Sequence, residues 1–255
     1  LLDAEAAEGN FEHIAEARVV VQRIEPGRAT VVLEDGRELA APLLIGCDGR
    51  GSGTAERAGI KRTGWAYGQT ARGCALSVEK PHAGVAHQLF LPEGPLAILP
   101  LSENRVGVVW TEARARAAEI AELDDAGYLA VLRPRFGDFL GEMSLAGERF
   151  TYPLGLSLAQ SFTADRVALV GDAAHGIHPI AGQGVNLGYR DLAVLSEVLL
   201  DARTAGQDVG APPVLTDAST YADPLPQALV LTAIVISFGM TAVLVMKGHG
   251  AYLEA

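Results

Sequence analysis

The segment "GDAAHGIHPIAGQGVN", residues 171–186, carries the residue types best suited to binding a cofactor. It follows a short apolar run, residues 167–170, which predicts a strand. Ligands of open α/β sheets lie beyond the carboxyl ends of strands, so we expect Asp172 to project into a ligand crevice. A carboxylate accepts hydrogen bonds and repels phosphate, which favours the hydroxyl groups of a sugar or ribityl chain.

The glycines later in this segment predict a close approach between the backbone and a ligand. Gly182 and Gly184 lack β-carbons, so a flat ring could lie against their peptide groups. Apolar residues recur at helical spacing over residues 185–200, which predicts a helix that begins beside the glycines. Its unpaired N–H groups and positive dipole end favour a ligand that gains negative charge.

Two other kinds of chemistry fit the same segment less well. Asp172, His175 and His178 have the spacing D-x-x-H-x-x-H, but the surrounding glycines predict a loop rather than a rigid metal-binding helix. We therefore expect the histidines to make local hydrogen bonds and expect no metal site. A serine hydrolase is excluded because the chain has no G-x-S-x-G motif.

Strand patterns fill most of the chain before the glycine-rich segment. Residues 18–24, 29–33 and 37–40 predict a three-stranded meander. Residues 43–47, "LLIGC", form an unalternating apolar run before Asp48-Gly49, which is typical of a strand buried on both faces. Residues 69–110 predict a mostly antiparallel sheet, and residues 113–140 predict one or two surface helices.

Composition limits the class of ligand. A formal charge of −11 argues against nucleic-acid binding, so a small organic substrate fits better. Cys47 and Cys74 offer no disulfide framework and indicate a reducing compartment, and we expect both in the core. The chain opens on Leu1 with no visible signal peptide, and we expect it to be a fragment of a longer protein.

Two sequence motifs carry a resemblance to the aromatic-ring FAD monooxygenases. "RVALVGDAAHGIHPIAGQGVNLGYRD" (166–191) resembles the second flavin fingerprint of that group, and "LLIGCDGRGS" (43–52) resembles its Asp-Gly fingerprint. Within the group, "YGQTA", "AHQLF", "GPLAILPL" and "VVW" are most similar to the ubiquinone-biosynthesis hydroxylases that act on polyprenylated phenols. The resemblance extends over residues 1–210.

The resemblance implies a mixed α/β fold, in which a partial Rossmann-like FAD-binding domain is interleaved with an antiparallel-sheet substrate domain. The implied boundaries are residues 1–64 for the first part of the FAD-binding domain, 65–150 for the substrate domain and 151–210 for the return to the FAD-binding domain. An apolar tail follows over residues 211–255.

The resemblance also implies a reaction. NAD(P)H reduces the flavin, and one oxygen atom of O2 is delivered to a phenol ring lying against the sheet of residues 69–110. Asp172 is assigned to the ribityl region, Asp48 and Gly49 to the cofactor junction, and Pro179 to the flavin face. Pro179, Gly182 and Gln183 are the implied catalytic positions. The full implied cofactor set is Asp48, Gly49, Gly171, Asp172, Pro179, Gly182, Gln183, Gly184, Val185 and Asn186.

The sequence departs from the family pattern at two places. The family opens with a G-x-G-x-x-G unit that binds the FAD pyrophosphate, and this chain contains no such motif. The family also carries an arginine three residues after the fingerprint serine, where this chain has Ala55, with Arg57 two residues further on. The second departure leaves the pyridine-nucleotide contacts open.

The tail has a different character. Residues 228–246 contain no charged residue and would span roughly 28 Å as a helix, close to the thickness of a bilayer, so we expect a transmembrane helix, with a buried core helix as the alternative. Residues 221–242 are similar to the NuoK-like small subunit of multisubunit sodium/proton antiporters. The junction, near residues 210–217, would mark a joined reading frame or a natural membrane anchor.

Two functions therefore remain open at this point. The first is a phenol hydroxylase, cytoplasmic and peripheral to or tail-anchored at the inner membrane, with a polyprenylphenol and O2 as partners within a ubiquinone-synthesis assembly. The second is a membrane-anchored or antiporter-subunit-like chimera that carries a non-catalytic flavoprotein remnant.

Overall fold

A computed structural model describes residues 11–179 and 182–221 and divides them into two units. The first unit contains residues 11–62, 159–175 and 185–221, and the second contains residues 63–158, 176–179 and 182–184. The expected transmembrane helix, 228–246, lies outside the described residues. Within the part of the chain that the structure describes, no helix is long and apolar enough to cross a membrane.

The described elements alternate between strands and helices along the chain. The helices are α1 (Gly53–Arg57), α2 (Arg114–Ala121), α3 (Asp125–Phe136), α4 (Gln183–Thr204) and α5 (Pro212–Tyr221). The strands are β1 (Val19–Glu25), β2 (Arg28–Leu33), β3 (Glu38–Ala41), β4 (Leu44–Gly46), β5 (Arg62–Val78), β6 (His87–Leu91), β7 (Gly94–Pro100), β8 (Arg105–Ala113), β9 (Met143–Leu145), β10 (Phe150–Ala159), β11 (Thr163–Ala164), β12 (Val167–Leu169) and β13 (His175–Gly176).

The predicted meander is confirmed in the first unit. Strands β1, β2 and β3 pair in antiparallel order, with Val31 opposite Leu39 in the second pair. Gly27 has a φ of +84°, a conformation that glycine adopts at little cost, and this lets the chain turn tightly between β1 and β2. Ala29, Val31 and Leu33 are buried along one face of β2, as the apolar pattern requires.

A second sheet of the first unit is small and partly parallel. Its strand order is β11-β12-β4, and β12 runs parallel to β4 with Ala168 opposite Ile45. The prediction of a strand at residues 43–47 is confirmed, but its burial on both faces is wrong because Ile45 is 41% exposed. In the described residues β4 is the end strand of this sheet, so one of its sides has no neighbouring strand.

Helix α4 covers this sheet. Leu195 packs against Ala168 and Val170, and the buried positions of α4 follow helical spacing. The helix predicted over residues 185–200 is thus confirmed, although it begins earlier and ends later than the pattern indicated.

The first unit continues past the point where the family resemblance was expected to end. The Arg166 backbone N–H donates to the Gly210 carbonyl at 3.1 Å, and its guanidinium donates to the Pro42 carbonyl and to Asp208. Leu215, in α5, is fully buried. The expected junction near residues 210–217 therefore coincides with no break in the fold of the described residues.

The second unit contains most of a seven-stranded sheet with the order β13-β10-β5-β8-β7-β6 and with β9 beside β5. The pairs β5–β8, β8–β7 and β7–β6 are antiparallel, which confirms the predicted sheet. The predicted helices are also confirmed, but α3 is more than a surface helix. It buries Tyr128, Leu132 and Phe136 in the main core with Trp110.

The two cysteines differ in their surroundings. Cys74 is buried in the main core of the second unit, as expected. Cys47 is exposed, so the expectation for that residue is wrong. It follows the last residue of β4 at the carboxyl end of the strand, where the sheet stops covering the chain.

Candidate functional site

The two predicted fingerprints end side by side in the first unit. Gly46 pairs with Leu169 in the parallel β4–β12 ladder, and the Val170 N–H donates to the Gly46 carbonyl at 3.0 Å. The Asp48 and Asp172 turns therefore leave the same edge of the sheet. This is the edge at which open α/β sheets bind ligands.

An ion pair joins the two turns. Arg50 donates from Nε to Oδ2 of Asp172 at 3.2 Å. The Asp172 side chain remains 44% exposed, so its carboxylate is accessible to a ligand. Arg50 lies within the Asp-Gly fingerprint, but the sequence motif alone gave it no role.

Backbone hydrogen bonds fix the conformation of the Asp172 turn. Gly171 has a φ of +63° and begins a 3-10 turn that ends at Ala173. The Gly171 N–H donates to Oδ2 of Asp191 at 2.8 Å. The Arg62 guanidinium donates to the carbonyl of Asp172 at 3.2 Å and to that of Ala173. Asp172 is thus presented by a turn held from two sides.

Partial burial affects the arginine that holds this turn. It lowers the pKa of Arg62, and the carboxylates of Asp48 and Asp172 oppose that effect. With an ordinary pKa above 12, the guanidinium remains charged at neutral pH. A permanent positive charge therefore lies beside the turn, which suits an anionic group on a ligand.

The Asp48 carboxylate organises the start of α1. It accepts hydrogen bonds from the Ser52 hydroxyl at 2.5 Å and from the Thr54 N–H and hydroxyl, both at 2.9 Å. Ser52 in turn caps α1 by accepting the Ala55 N–H at 3.0 Å. Burial acts to raise the pKa of Asp48, but these hydrogen bonds outweigh it and lower the pKa below the ordinary value. The assignment of Asp48 to the cofactor junction stays a prediction.

The histidines behave as local contacts. The Nε2 atom of His175 lies 2.6 Å from Oδ2 of Asp191, and both residues are buried. His178, in the second unit, packs its ring 5.3 Å from that of Tyr67. Among residues 11–179 and 182–221, no group of three or more His, Cys, Asp and Glu side chains could hold a metal ion.

The predicted ring-binding segment presents open backbone. Gly182 has a φ of +65°, and its N–H donates to the Pro179 carbonyl at 3.1 Å just before α4 begins at Gln183. A Cβ added to Gly182 or Gly184 would meet no atom of the described residues within 4 Å. Val185 and Asn186 are exposed in the first turn of α4.

Gly184 is informative because nothing in the described protein requires a glycine there. Its φ lies outside the left-handed region, and it occupies the first turn of a helix. By contrast, a Cβ on Gly46 would lie 2.8 Å from Thr54 Cγ2. A glycine costs a helix interior about 1 kcal/mol relative to alanine. Room for a ligand against the backbone is a physical reason to keep a glycine at this position.

Sequence reasoning missed Arg50, Arg62 and Asp191. Asp191 had a usable signal, because it lies four residues after Leu187 and four before Leu195, on the apolar stripe of α4. A carboxylate on such a stripe indicates a buried partner. Arg62 had no comparable local signal, since its acceptors lie about 110 positions away along the chain.

Comparison with known proteins now decides the family. Residues 1–228 match the family described as FAD binding domain. The chain belongs to this family. The match extends beyond Gly210, where the sequence motifs had placed the end of the resemblance.

Curated relatives place the chain near ubiquinone hydroxylases. It is 44% identical over 204 residues to ubiquinone hydroxylase UbiL of Rhodospirillum rubrum, a match that covers 80% of this chain and 48% of the relative. It is 39% identical over 184 residues to 3-demethoxyubiquinol 3-hydroxylase of Escherichia coli, covering 72% of this chain and 46% of the relative. The chain thus spans about half the length of the curated relatives it matches.

Solved structures support the same fold. PqsL of Pseudomonas aeruginosa, described as a probable FAD-dependent monooxygenase, is 26% identical with a TM-score of 0.74, and the match covers 90% of this chain and 65% of that one. The flavin-dependent halogenase CmlS is 21% identical with a TM-score of 0.73, covering 89% of this chain and 42% of that one. The halogenase shows likeness of fold alone.

Proposed function

We propose that this chain is part of an FAD-dependent monooxygenase that hydroxylates a polyprenylated phenol in ubiquinone biosynthesis, with NAD(P)H and O2 as co-substrates. The observation that carries the proposal is the accessible Asp172 carboxylate, which follows β12 beside the Asp-Gly turn of β4. The family match and the ubiquinone hydroxylases among the relatives support the cofactor and the substrate class.

The residues at this edge fit a flavin. A carboxylate that accepts hydrogen bonds suits the hydroxyl groups of a ribityl chain, and Asp172 is exposed enough to receive them. The open backbone at Gly182 and Gly184 suits a flat ring. When bound, the flavin would supply the acceptance of electrons from NAD(P)H and the activation of O2.

The protein's own share of the chemistry is orientation and electrostatics. We assign Asp172 to the polyol, Pro179 to the ring face, and Gly182, Gln183, Gly184 and Asn186 to the ring edge. The first N–H groups of α4 have no partner within the helix, so they can stabilise negative charge on the ligand. Asp48 and Gly49 would support the cofactor indirectly by fixing the neighbouring turn.

The substrate part of the proposal rests on the second unit. One face of its sheet packs Leu76, Ile98 and Trp110 into the main core. The other face has cross-strand rows of small and aliphatic residues, Gly73–Val109–Ala97 and Ala75–Gly107–Leu99. These rows lie between strands and form an apolar surface. Such a surface suits a prenylated phenol, whose binding would bury hydrocarbon.

The membrane part of the proposal rests on sequence alone. Residues 228–246 carry no charge, and we propose that they insert into the inner membrane, where a polyprenylated substrate dissolves. Membranes from cells that express the full chain would be extracted with alkaline carbonate. Retention of the full chain and release of a variant that lacks residues 228–246 supports insertion. Release of both contradicts it.

The proposed activity is tested with the purified chain. FAD titration should quench flavin fluorescence, and NAD(P)H oxidation should increase when a short-chain prenylated phenol is added. With isotopically labelled O2, mass spectrometry should find one labelled oxygen atom in the phenol. Colourless protein that binds no FAD, and that fractionates only with membranes, would instead support the antiporter-like chimera.

A further inference from the structure

We infer that Asp191 and His175 form a positioning pair that holds the Asp172 turn against helix α4. This inference rests on the proposed function, because the turn matters only if Asp172 binds the cofactor. Neither residue has a role in the cofactor contacts assigned above. The pair would act through the backbone of Gly171 rather than by touching a ligand.

One carboxylate oxygen fastens both ends of the turn. Oδ2 of Asp191 accepts the Gly171 N–H at 2.8 Å, and the same atom lies 2.6 Å from His175 Nε2. Gly171 is the first residue of the 3-10 turn, and His175 follows it by four positions. The segment between them therefore cannot shift relative to α4 without breaking one of these two contacts.

Burial makes the pair a strong restraint. His175 and Asp191 are both buried, and the Phe162 ring packs edge-on at 5.8 Å from the imidazole. Removing one partner would leave the other without a hydrogen bond in an apolar core, which is costly. An exposed ion pair would offer no such restraint, because water replaces the lost partner.

The geometry also fixes the tautomer of the histidine. Nε2 must carry the proton that is donated to Asp191. Within the described residues Nδ1 is buried without a hydrogen-bond partner, so a proton on that atom would be left unsatisfied. The neutral ring with Nε2–H is therefore the form that fits this site.

The pair also reaches the helix that carries other proposed cofactor contacts. Asp191 lies one helical turn after Gly188, where an added Cβ would come within 3.5 Å of Gly171 Cα. Asn186, on the same helix, is one of the positions assigned to the ring edge. The Asp191 carboxylate thus links the Asp172 turn and α4 in one rigid arrangement.

Two substitutions of Asp191 separate hydrogen bonding from charge. Asp191→Asn keeps an oxygen that can accept from Gly171 and His175, whereas Asp191→Ala removes it. We expect Asp191→Ala to raise the dissociation constant for FAD about tenfold, and Asp191→Asn to restore it to within about threefold of wild type. The Asp201→Ala variant, at an exposed position of the same helix, should bind FAD as wild type does.

A measurement without FAD keeps the inference separate from the proposed function. In the free chain, nitrogen NMR should show His175 protonated on Nε2, and the Gly171 amide should exchange slowly with solvent. Asp191→Ala should accelerate exchange at Gly171, and Asp191→Asn should not. If Asp191→Ala does not fold, His175→Phe, which keeps the Asp191–Gly171 contact but removes the ring donor, is compared with Asp191→Asn.

The outcomes are distinguishable. Failure of wild-type chain to bind FAD would count against the proposed function, while the exchange data would still test the pair. Unchanged Gly171 exchange in Asp191→Ala, or a His175 ring protonated on Nδ1, would overturn the inference. Faster exchange with unaltered FAD affinity would also overturn it, because the pair would then have no effect on the cofactor.

Discussion

Arg50 donates to the Asp172 carboxylate over 3.2 Å, although the two residues are 122 positions apart in the sequence. The contact joins the two turns that follow β4 and β12. Both side chains are partly exposed, so the pair adds little to stability. Its effect is to orient the carboxylate, because a single Nε–H donor restricts where Oδ2 can lie.

Substitution of Arg50 should therefore separate stability from binding. We expect Arg50→Ala to change the free energy of unfolding by less than about 1 kcal/mol, as exposed ion pairs do. It should nevertheless weaken FAD binding several-fold, because the Asp172 carboxylate loses its orientation. Urea denaturation and flavin fluorescence titration measure the two effects.

A matched control comes from the meander. Arg37 pairs with Asp35 at 2.7 Å, and both side chains are about half exposed. Arg37→Ala should have a similarly small effect on stability and none on FAD affinity. Equal FAD affinities for the Arg50 and Arg37 variants would contradict the orienting role of Arg50.

Two glycines should respond to alanine in opposite ways. Gly46→Ala puts a Cβ within 2.8 Å of Thr54 and 2.9 Å of Leu169, so overpacking should destabilise the chain by roughly 1–3 kcal/mol. Gly184→Ala meets no described atom, and we expect it to stabilise α4 by up to about 1 kcal/mol.

The same Gly184→Ala variant should bind FAD less tightly, since the added methyl group occupies the space left for the ring. Thermal unfolding and FAD titration of the two glycine variants test this pattern. A Gly184→Ala protein with improved stability and unaltered FAD affinity would show that the open backbone there is not a ligand surface.

The sequence predicted local elements better than their surroundings. The meander and the antiparallel sheet followed from alternating apolar residues and glycine turns, which are local signals. The exposure of Ile45 and Cys47 was mispredicted, because the burial of a strand depends on which strands lie beside it. The same apolar run can occur in a central strand and in an end strand.

The candidate site was predictable in part for the same reason. Asp172 was identified from its position after a strand, and the structure presents its carboxylate to solvent. The residues that hold its turn were missed, because Arg62 and Asp191 reach it only through tertiary folding. Of these, Asp191 alone left a signal in the sequence, as a carboxylate on an apolar helical stripe.

Asp48 should give the chain a measurable pH dependence. Its pKa is lowered in the folded state, so it stabilises the fold above its unfolded pKa of about 4, and this contribution is lost as the pH falls through the lower folded value. Asp48→Asn should therefore be less stable than wild type at pH 7, and the difference should shrink below about pH 4. Urea denaturation across pH 3–7 measures it. A difference that stays constant with pH would contradict the ionised network with Ser52 and Thr54.

The most direct test of the account compares FAD binding by wild-type chain and Asp172→Ala. Loss of a hydrogen bond to a charged group is worth about 1.5–3 kcal/mol, so the dissociation constant should rise at least tenfold. Asp201→Ala is the control. The free energy of unfolding without FAD should stay within about 1 kcal/mol of wild type, because the Asp172 side chain is largely exposed. Equal FAD affinity for wild type and Asp172→Ala would contradict the account.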